Sequence, residues 1–192
     1  MGEYPRGFPA ECERHALEVR RDMSLEPADR LDPRALAAHL AIPIHSLEEF
    51  ETACPKSVAQ LREVDRGCFS AMTLFIGARR LIIFNPAHAA GRQANSIAHE
   101  LAHVLLEHPP ASIRDDTGQR EWSGEREREA DLMAATLLVP RAGILPVMYR
   151  VGGNIGLAAD HFGVSRQLMT WRFKKTGAER QMQRAARKPV RD

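Results

Sequence analysis

The sequence predicts an α+β fold, mainly helical with a small antiparallel sheet, and three observations carry that prediction. Two stretches, near 91–107 and 125–139, repeat apolar residues at helical spacing. Two short β-prone runs, 69–76 and 81–84, are joined by Gly77-Ala-Arg-Arg80 and read as one hairpin. The chain has 192 residues with 44% hydrophobic and 27% charged content. That is enough for one compact core with a small appendage, and ordinary for a globular protein.

The elements follow in order. Residues 1–9 carry Gly2, Pro5, Gly7 and Pro9 and are expected to fray. A charged amphipathic helix is expected over 11–23. Asp32 as N-cap and Pro33 at the first position open a short helix over 34–40. Residues 41–45 read as a short strand and 57–66 as a helix. The hairpin ends at Asn85-Pro86. A long helix runs from about 91 to 107 and is stopped by Pro109-Pro110. Residues 108–124, with Asp115, Asp116, Gly118 and Gly124, read as a surface loop of a length that often shapes access to a site. The next helix is stopped by Pro140, which cannot continue it. Residues 141–151 receive no element.

Beyond Gly152-Gly153, helices are expected over 155–162 and 165–175, around Gly163-Val164, with Ser165 as N-cap. This pair resembles a helix-turn-helix, with glycine in the turn. Packing on the core or holding a protein substrate is the favoured role; DNA contact is possible but not favoured. The tail carries Arg180, Arg184, Arg187, Lys188 and Arg191 against Glu179 and Asp192. It reads as a solvated, partly disordered terminus rather than a nucleic-acid-binding arm. The expected division is 10–145 for the main domain, 146–177 for the helix-turn-helix-like segment packed on it, and 178–192 for the tail.

A net charge of +2 does not call for a polyanionic partner. Cys12, Cys54 and Cys68 are scattered, with no C-x-x-C spacing, which fits a reducing compartment better than a disulfide framework. Cys68 is expected to be a small buried hydrophobe rather than a ligand. The N-terminus lacks the pattern of a signal peptide, and no apolar run approaches the length needed to span a bilayer. A cytoplasmic protein with no membrane partner is expected.

The most informative stretch is His99-Glu100-Leu101-Ala102-His103, an H-E-x-x-H pattern. On a helix, residues four apart lie one turn above each other on the same face. Both imidazoles can therefore reach one metal ion, and Glu100 can lie beside them as a base. Two neutral nitrogen ligands and a carboxylate next to an open coordination position are what a zinc peptidase needs. Ile97, Ala98, Leu101, Ala102, Val104 and Leu105 make the helix a packed one.

A catalytic zinc site usually has a third protein ligand. Glu125, Glu127 and Glu129 compete for that role on the next helix. At about 100° per residue, Glu127 falls on the apolar side with Ala134 and Leu138, whereas Glu125 and Glu129 fall in solvent. A core-facing carboxylate is costly unless paired or metal-bound, so Glu127 is the expected ligand. Asp131, one turn on, is placed to accept the second ring N–H of a ligand histidine. His108 lies five residues after His103 and reads as a helix-end residue. His15, His39, His45 and His88 have no ligand spacing.

H-E-x-x-H followed by E-x-x-x-D is similar to the gluzincin pattern. More narrowly, 97–103 and 127–140 resemble the ImmA/IrrE family of bacterial and phage-associated zinc peptidases. Their usual second motif is E-x-x-A-[ND]-x-F-A-x-x-L-L-M-P; here Met133 replaces the aromatic residue and Val139 the methionine, and both keep an apolar face. The resemblance covers roughly 33–176. It implies a zincin-like core, a Zn2+ cofactor held by His99, His103 and Glu127, and Glu100 as the catalytic base. It also implies a DNA-binding repressor as substrate, cleaved to derepress phage-like, mobile-element or stress-response genes. Tyr149 and His161, in the region after the second motif, are candidates for a donor to the reaction's oxyanion. The competing expectation is a non-catalytic zinc-binding regulator, acting through the helix-turn-helix or as an antitoxin-like partner. Intact Glu100 argues against it, since a scaffold needs no base.

Overall fold

The computed structural model describes residues 4–64, 69–77, 79–109 and 124–186. Helix α1 (Phe8–Asp22) begins three residues earlier than its charge pattern indicates, with Gly7 as N-cap at φ 92° and Pro9 in the first turn. Tyr4 stacks on Phe8 at 6.0 Å between ring centroids, so residues 4–9 are part of the fold rather than a frayed end. Helix α2 (Pro33–His39) starts as expected, the Asp32 side chain accepting from the Arg34 N–H. Strand β1 (Ile44–Ser46) leads through a 3-10 turn to α3 (Pro55–Ala59), which continues as a π turn over Gln60–Val64.

Strands β2 (Ala71–Ile76) and β3 (Arg79–Phe84) form the expected antiparallel hairpin. The sheet is mixed, because β1 joins the other side of β3 in parallel, with Ile44 opposite Ile82. The order β1-β3-β2 makes β2 an edge strand among the described residues. Alternation sorts the faces. Ile82, Phe84 and Ala71 pack in the main core, whereas Ile83 and Met72 belong to a second cluster with Leu47, Val58 and Phe69.

Helix α4 (Ala90–Leu105) and helix α5 (Gly124–Leu138) pack along each other at the centre of the main core. Ala98, Ala102, Ala130 and Ala134 are all fully buried in that cluster. Small side chains let two helix backbones approach closely, which brings the flanking polar residues into range of each other.

Residues 141–151, left without an element by sequence, form α6 (Arg141–Arg150) despite an internal Pro146. A proline inside a helix normally breaks it. Here Ile144, Val147 and Met148 are buried, and burial outweighs propensity. Gly143 explains the close fit. A Cβ there would lie 2.0 Å from the Pro27 carbonyl oxygen, and backbone cannot swing aside. Gly143→Ala is expected to cost about 3 kcal/mol through overpacking, read as a fall of roughly 6–12 °C in thermal midpoint.

Helices α7 (Ile155–Phe162) and α8 (Arg166–Lys175) follow, capped by Asn154 and Ser165 side chains, with Gly163 at φ 69° between them. Their turn sits against the first turn of α4, where a Cβ on Gly91 would lie 3.0 Å from Val164 and Ser165 backbone atoms. The tail reading is corrected for 178–186. Those residues form α9 (Ala178–Ala186), with Ala178 buried and Met182 packed on the core. Its arginines point outward along an amphipathic helix, and charge alone hid the apolar stripe. Residues 187–192 lie outside the described part of the chain, as do Cys68 and most of the expected 108–124 loop. No single helix among the described residues is long and apolar enough to cross a membrane.

Candidate active site

Helix α4 carries His99, Glu100 and His103, and α5 carries Glu127 and Asp131. The helices bring these groups together. His99 Nε2 lies 3.1 Å from Glu127 Oε2 and 3.1 Å from His103 Nε2. His103 Nε2 lies 3.5 Å from Glu127 Oε1. One ligand atom from each of His99, His103 and Glu127 falls within 4.8 Å of the others, close enough for the three to hold one metal ion. Two imidazole nitrogens and one carboxylate oxygen form a donor set suited to zinc, and poorly suited to magnesium or calcium, which take oxygen.

On its other side, His99 Nδ1 lies 2.9 Å from Asp131 Oδ1. That carboxylate accepts the Nδ1–H and leaves the Nε2 lone pair facing the cluster. Burial pulls the His99 pKa down, but the hydrogen bond and charge of Asp131, with Glu100 and Glu127, outweigh it and leave the group raised. Burial, with His99 and His108 nearby, pushes His103 down to about 4, so its ring is neutral at physiological pH.

Glu100 is half-buried beside this cluster. Burial raises its pKa above the usual carboxylate range, and the nearby Glu127 charge adds to the rise. Thr73 opposes it. Its hydroxyl, on edge strand β2, donates to Glu100 Oε2 at 2.6 Å. One carboxylate oxygen is thereby fixed, and the other is left to exchange a proton. Sequence reasoning missed Thr73. The available signal was alternation in the hairpin, which puts Ala71, Thr73 and Phe75 on one sheet face.

Thr73→Val keeps the shape and removes the donor. Because the lost bond favours the ionised carboxylate, the Glu100 pKa is expected to rise. The acid limb of the pH–rate profile for peptide cleavage then moves to higher pH, with a loss of roughly tenfold in rate near the limb, about 1.4 kcal/mol. An unmoved limb would remove Thr73 from this role.

One sequence reading is corrected here. Glu129 was expected in solvent. Instead its Oε2 lies 3.3 Å from His108 Nε2, and its side chain is only 18% exposed. His108 is a helix-end residue as expected, but its Nδ1 also lies 2.9 Å from His103 Nδ1. Neither oxyanion candidate is drawn into the cluster. His161 Nε2 donates to the Ala28 carbonyl at 2.7 Å, and Tyr149 is 54% exposed on α6. His45 bonds Glu49 and His88 bonds the Phe69 carbonyl, as residues without ligand spacing should.

A small mixed sheet beside a helix bearing H-E-x-x-H, with a carboxylate from the next core helix, is a zincin-like core, and its donor set is that of a metallopeptidase. The family comparison narrows this. The family model described as the IrrE N-terminal-like domain, a peptidase family, matches residues 60–174, and the chain belongs to that family. The match runs from the π turn through nearly all of α8. No curated protein matches the chain.

Proposed function

We propose that this protein is a zinc-dependent endopeptidase that cleaves an intracellular protein, a DNA-binding transcriptional repressor of phage, mobile-element or stress-response genes. The observation that carries the peptidase reading is the Glu100 carboxylate, held by Thr73 beside the cluster of His99, His103 and Glu127. The repressor rests on the family resemblance.

His99, His103 and Glu127 would hold the metal, which when bound supplies Lewis acidity toward a water and the scissile carbonyl. Glu100 takes a proton from the attacking water and passes it to the leaving amine. Its raised pKa suits that double duty, since a carboxyl poised nearer neutrality both accepts and returns a proton. Asp131 orients His99. Among the described residues no strand pairs with the outer side of edge strand β2, and an extended substrate would add to it by backbone hydrogen bonds. Phe75, 41% exposed two residues after Thr73, flanks that path with an apolar side chain.

The test combines metal content with cleavage. Protein purified without a histidine tag is expected to carry about one zinc per chain, lost in Glu127→Ala and kept in Glu125→Ala, whose side chain is outside the cluster. New protein N-termini are then mapped in extracts treated with wild type or Glu100→Gln. A short set made only by the wild type, including a DNA-binding protein, supports the proposal. A wild type that takes up no zinc when zinc is supplied, or identical N-termini in both extracts, sinks it.

A further inference from the structure

Behind His103 runs a second chain of contacts that the metal cluster does not use. The two nitrogens of His103 have different surroundings. Nε2 faces His99 and Glu127, whereas Nδ1 lies 2.9 Å from Nδ1 of His108. The remaining nitrogen of His108, Nε2, lies 3.3 Å from Glu129 Oε2. The His108 side chain is 9% exposed, so little water competes for these bonds.

Hydrogen-bond chemistry allows one arrangement when Nε2 of His103 gives its lone pair to a cation. The proton then sits on Nδ1 and needs an acceptor. The atom placed to accept it is His108 Nδ1, which accepts only when unprotonated. His108 must therefore carry its proton on Nε2, and that N–H points at the Glu129 carboxylate. Each donor in the chain meets an acceptor.

The backbone supports this placement independently. Helix α4 ends in a Schellman turn, with His108 N–H bonded to the His103 carbonyl and Glu107 N–H to the Val104 carbonyl. The left-handed position, usually glycine, is occupied by Glu107 at φ 54°. The turn folds His108 back over the last ligand-bearing turn, and Pro109 follows directly.

We propose that His108 and Glu129 are positioning residues for the metal ligand His103, fixing its tautomer and ring plane as Asp131 does for His99. This rests on the metal-site reading above. It also accounts for Glu129, a nearly buried carboxylate on the side of α5 that helical periodicity assigns to solvent.

The experiment measures zinc affinity by chelator competition, together with the thermal midpoint of the metal-free protein. His108→Ala and Glu129→Ala are each expected to bind zinc about 10–100-fold more weakly. The double variant should be no weaker than His108→Ala alone, because both changes break one chain. His108→Asn, whose Oδ1 stands where Nδ1 stood, should recover most of the affinity and make Glu129→Ala silent. A fall in zinc affinity that merely tracks a lower metal-free midpoint, or additive effects of the two changes, would overturn the proposal. In the zinc-loaded wild type, nitrogen-15 spectra of the histidines should show His108 protonated at Nε2. Protonation at Nδ1 would refute the chain even if every variant failed to fold. Tight zinc binding with an indifferent His108→Ala sinks this inference alone, whereas a wild type that binds no zinc sinks the metal site with it.

Discussion

Glu100→Gln is expected to lower peptide cleavage by roughly 10²–10⁴-fold, the usual contribution of a positioned general base, with zinc content unchanged. Glutamine has the same shape, and its amide oxygen can still accept the Thr73 hydroxyl that now reaches Glu100 Oε2 at 2.6 Å. The other terminal atom becomes an NH2 group, which cannot take a proton from water. His99, His103 and Glu127 are untouched, so the metal stays. The comparison with Glu127→Ala matters, because that change removes activity together with the metal. Measuring zinc and cleavage on the same preparations separates the two. Cleavage at the wild-type rate by zinc-loaded Glu100→Gln would mean that another group is the base.

The parts of this site that could be read from sequence are those set by one helix's geometry. H-E-x-x-H places two imidazoles on one face whatever surrounds it. The angular position of Glu127 followed from its own helix, and the structure puts its carboxylate among those imidazoles. Asp131 one turn further meets His99 Nδ1 for the same reason. What was hidden depends on tertiary placement. Periodicity gives the direction in which Glu129 points but not what arrives there. His108 arrives from a different helix, through a turn whose left-handed residue is not the glycine that would announce it. Thr73 needed the register of the hairpin relative to α4. Helix α6 was concealed by Gly143 and Pro146, residues that weaken a helix in isolation and are tolerated here because Ile144, Val147 and Met148 are buried. The parallel pairing of β1 with β3 is likewise invisible in a three-residue strand.

Arg20→Met is expected to be the most damaging single change outside the site, costing roughly 3–5 kcal/mol, as does breaking other buried charged networks. Arg20 is 1% exposed. Its guanidinium donates to the carbonyls of Glu26 and Asp29 on one side and of Leu137 and Leu138 on the other. The second pair are the last carbonyls of α5, which no residue of that helix can satisfy. A cation there also meets the negative end of the helix dipole. Burial lowers the Arg20 pKa to about 10, so it is still charged at neutral pH. Arg172, 2% exposed, completes the junction. Its Nε donates to the Val139 carbonyl and its terminal nitrogen pairs with Glu13, whose other oxygen accepts the Arg141 N–H at the start of α6. Two buried guanidiniums thus tie α1 and α8 to the end of the helix that carries Glu127 and Asp131. Methionine fills the volume of Arg20 but leaves four carbonyls without that donor, of which those of Leu137 and Leu138 are buried. Arg20→Lys keeps the charge, yet one ammonium cannot span both pairs, so an intermediate loss is expected. The measurement is denaturant unfolding of the metal-free protein, with midpoints ordered wild type, Arg20→Lys, Arg20→Met. Zinc affinity per folded molecule should be close to wild type in all three, because the ligands sit at the opposite end of α5. Equal midpoints across the series would show that the carbonyls find other partners and that the junction does not depend on this arginine.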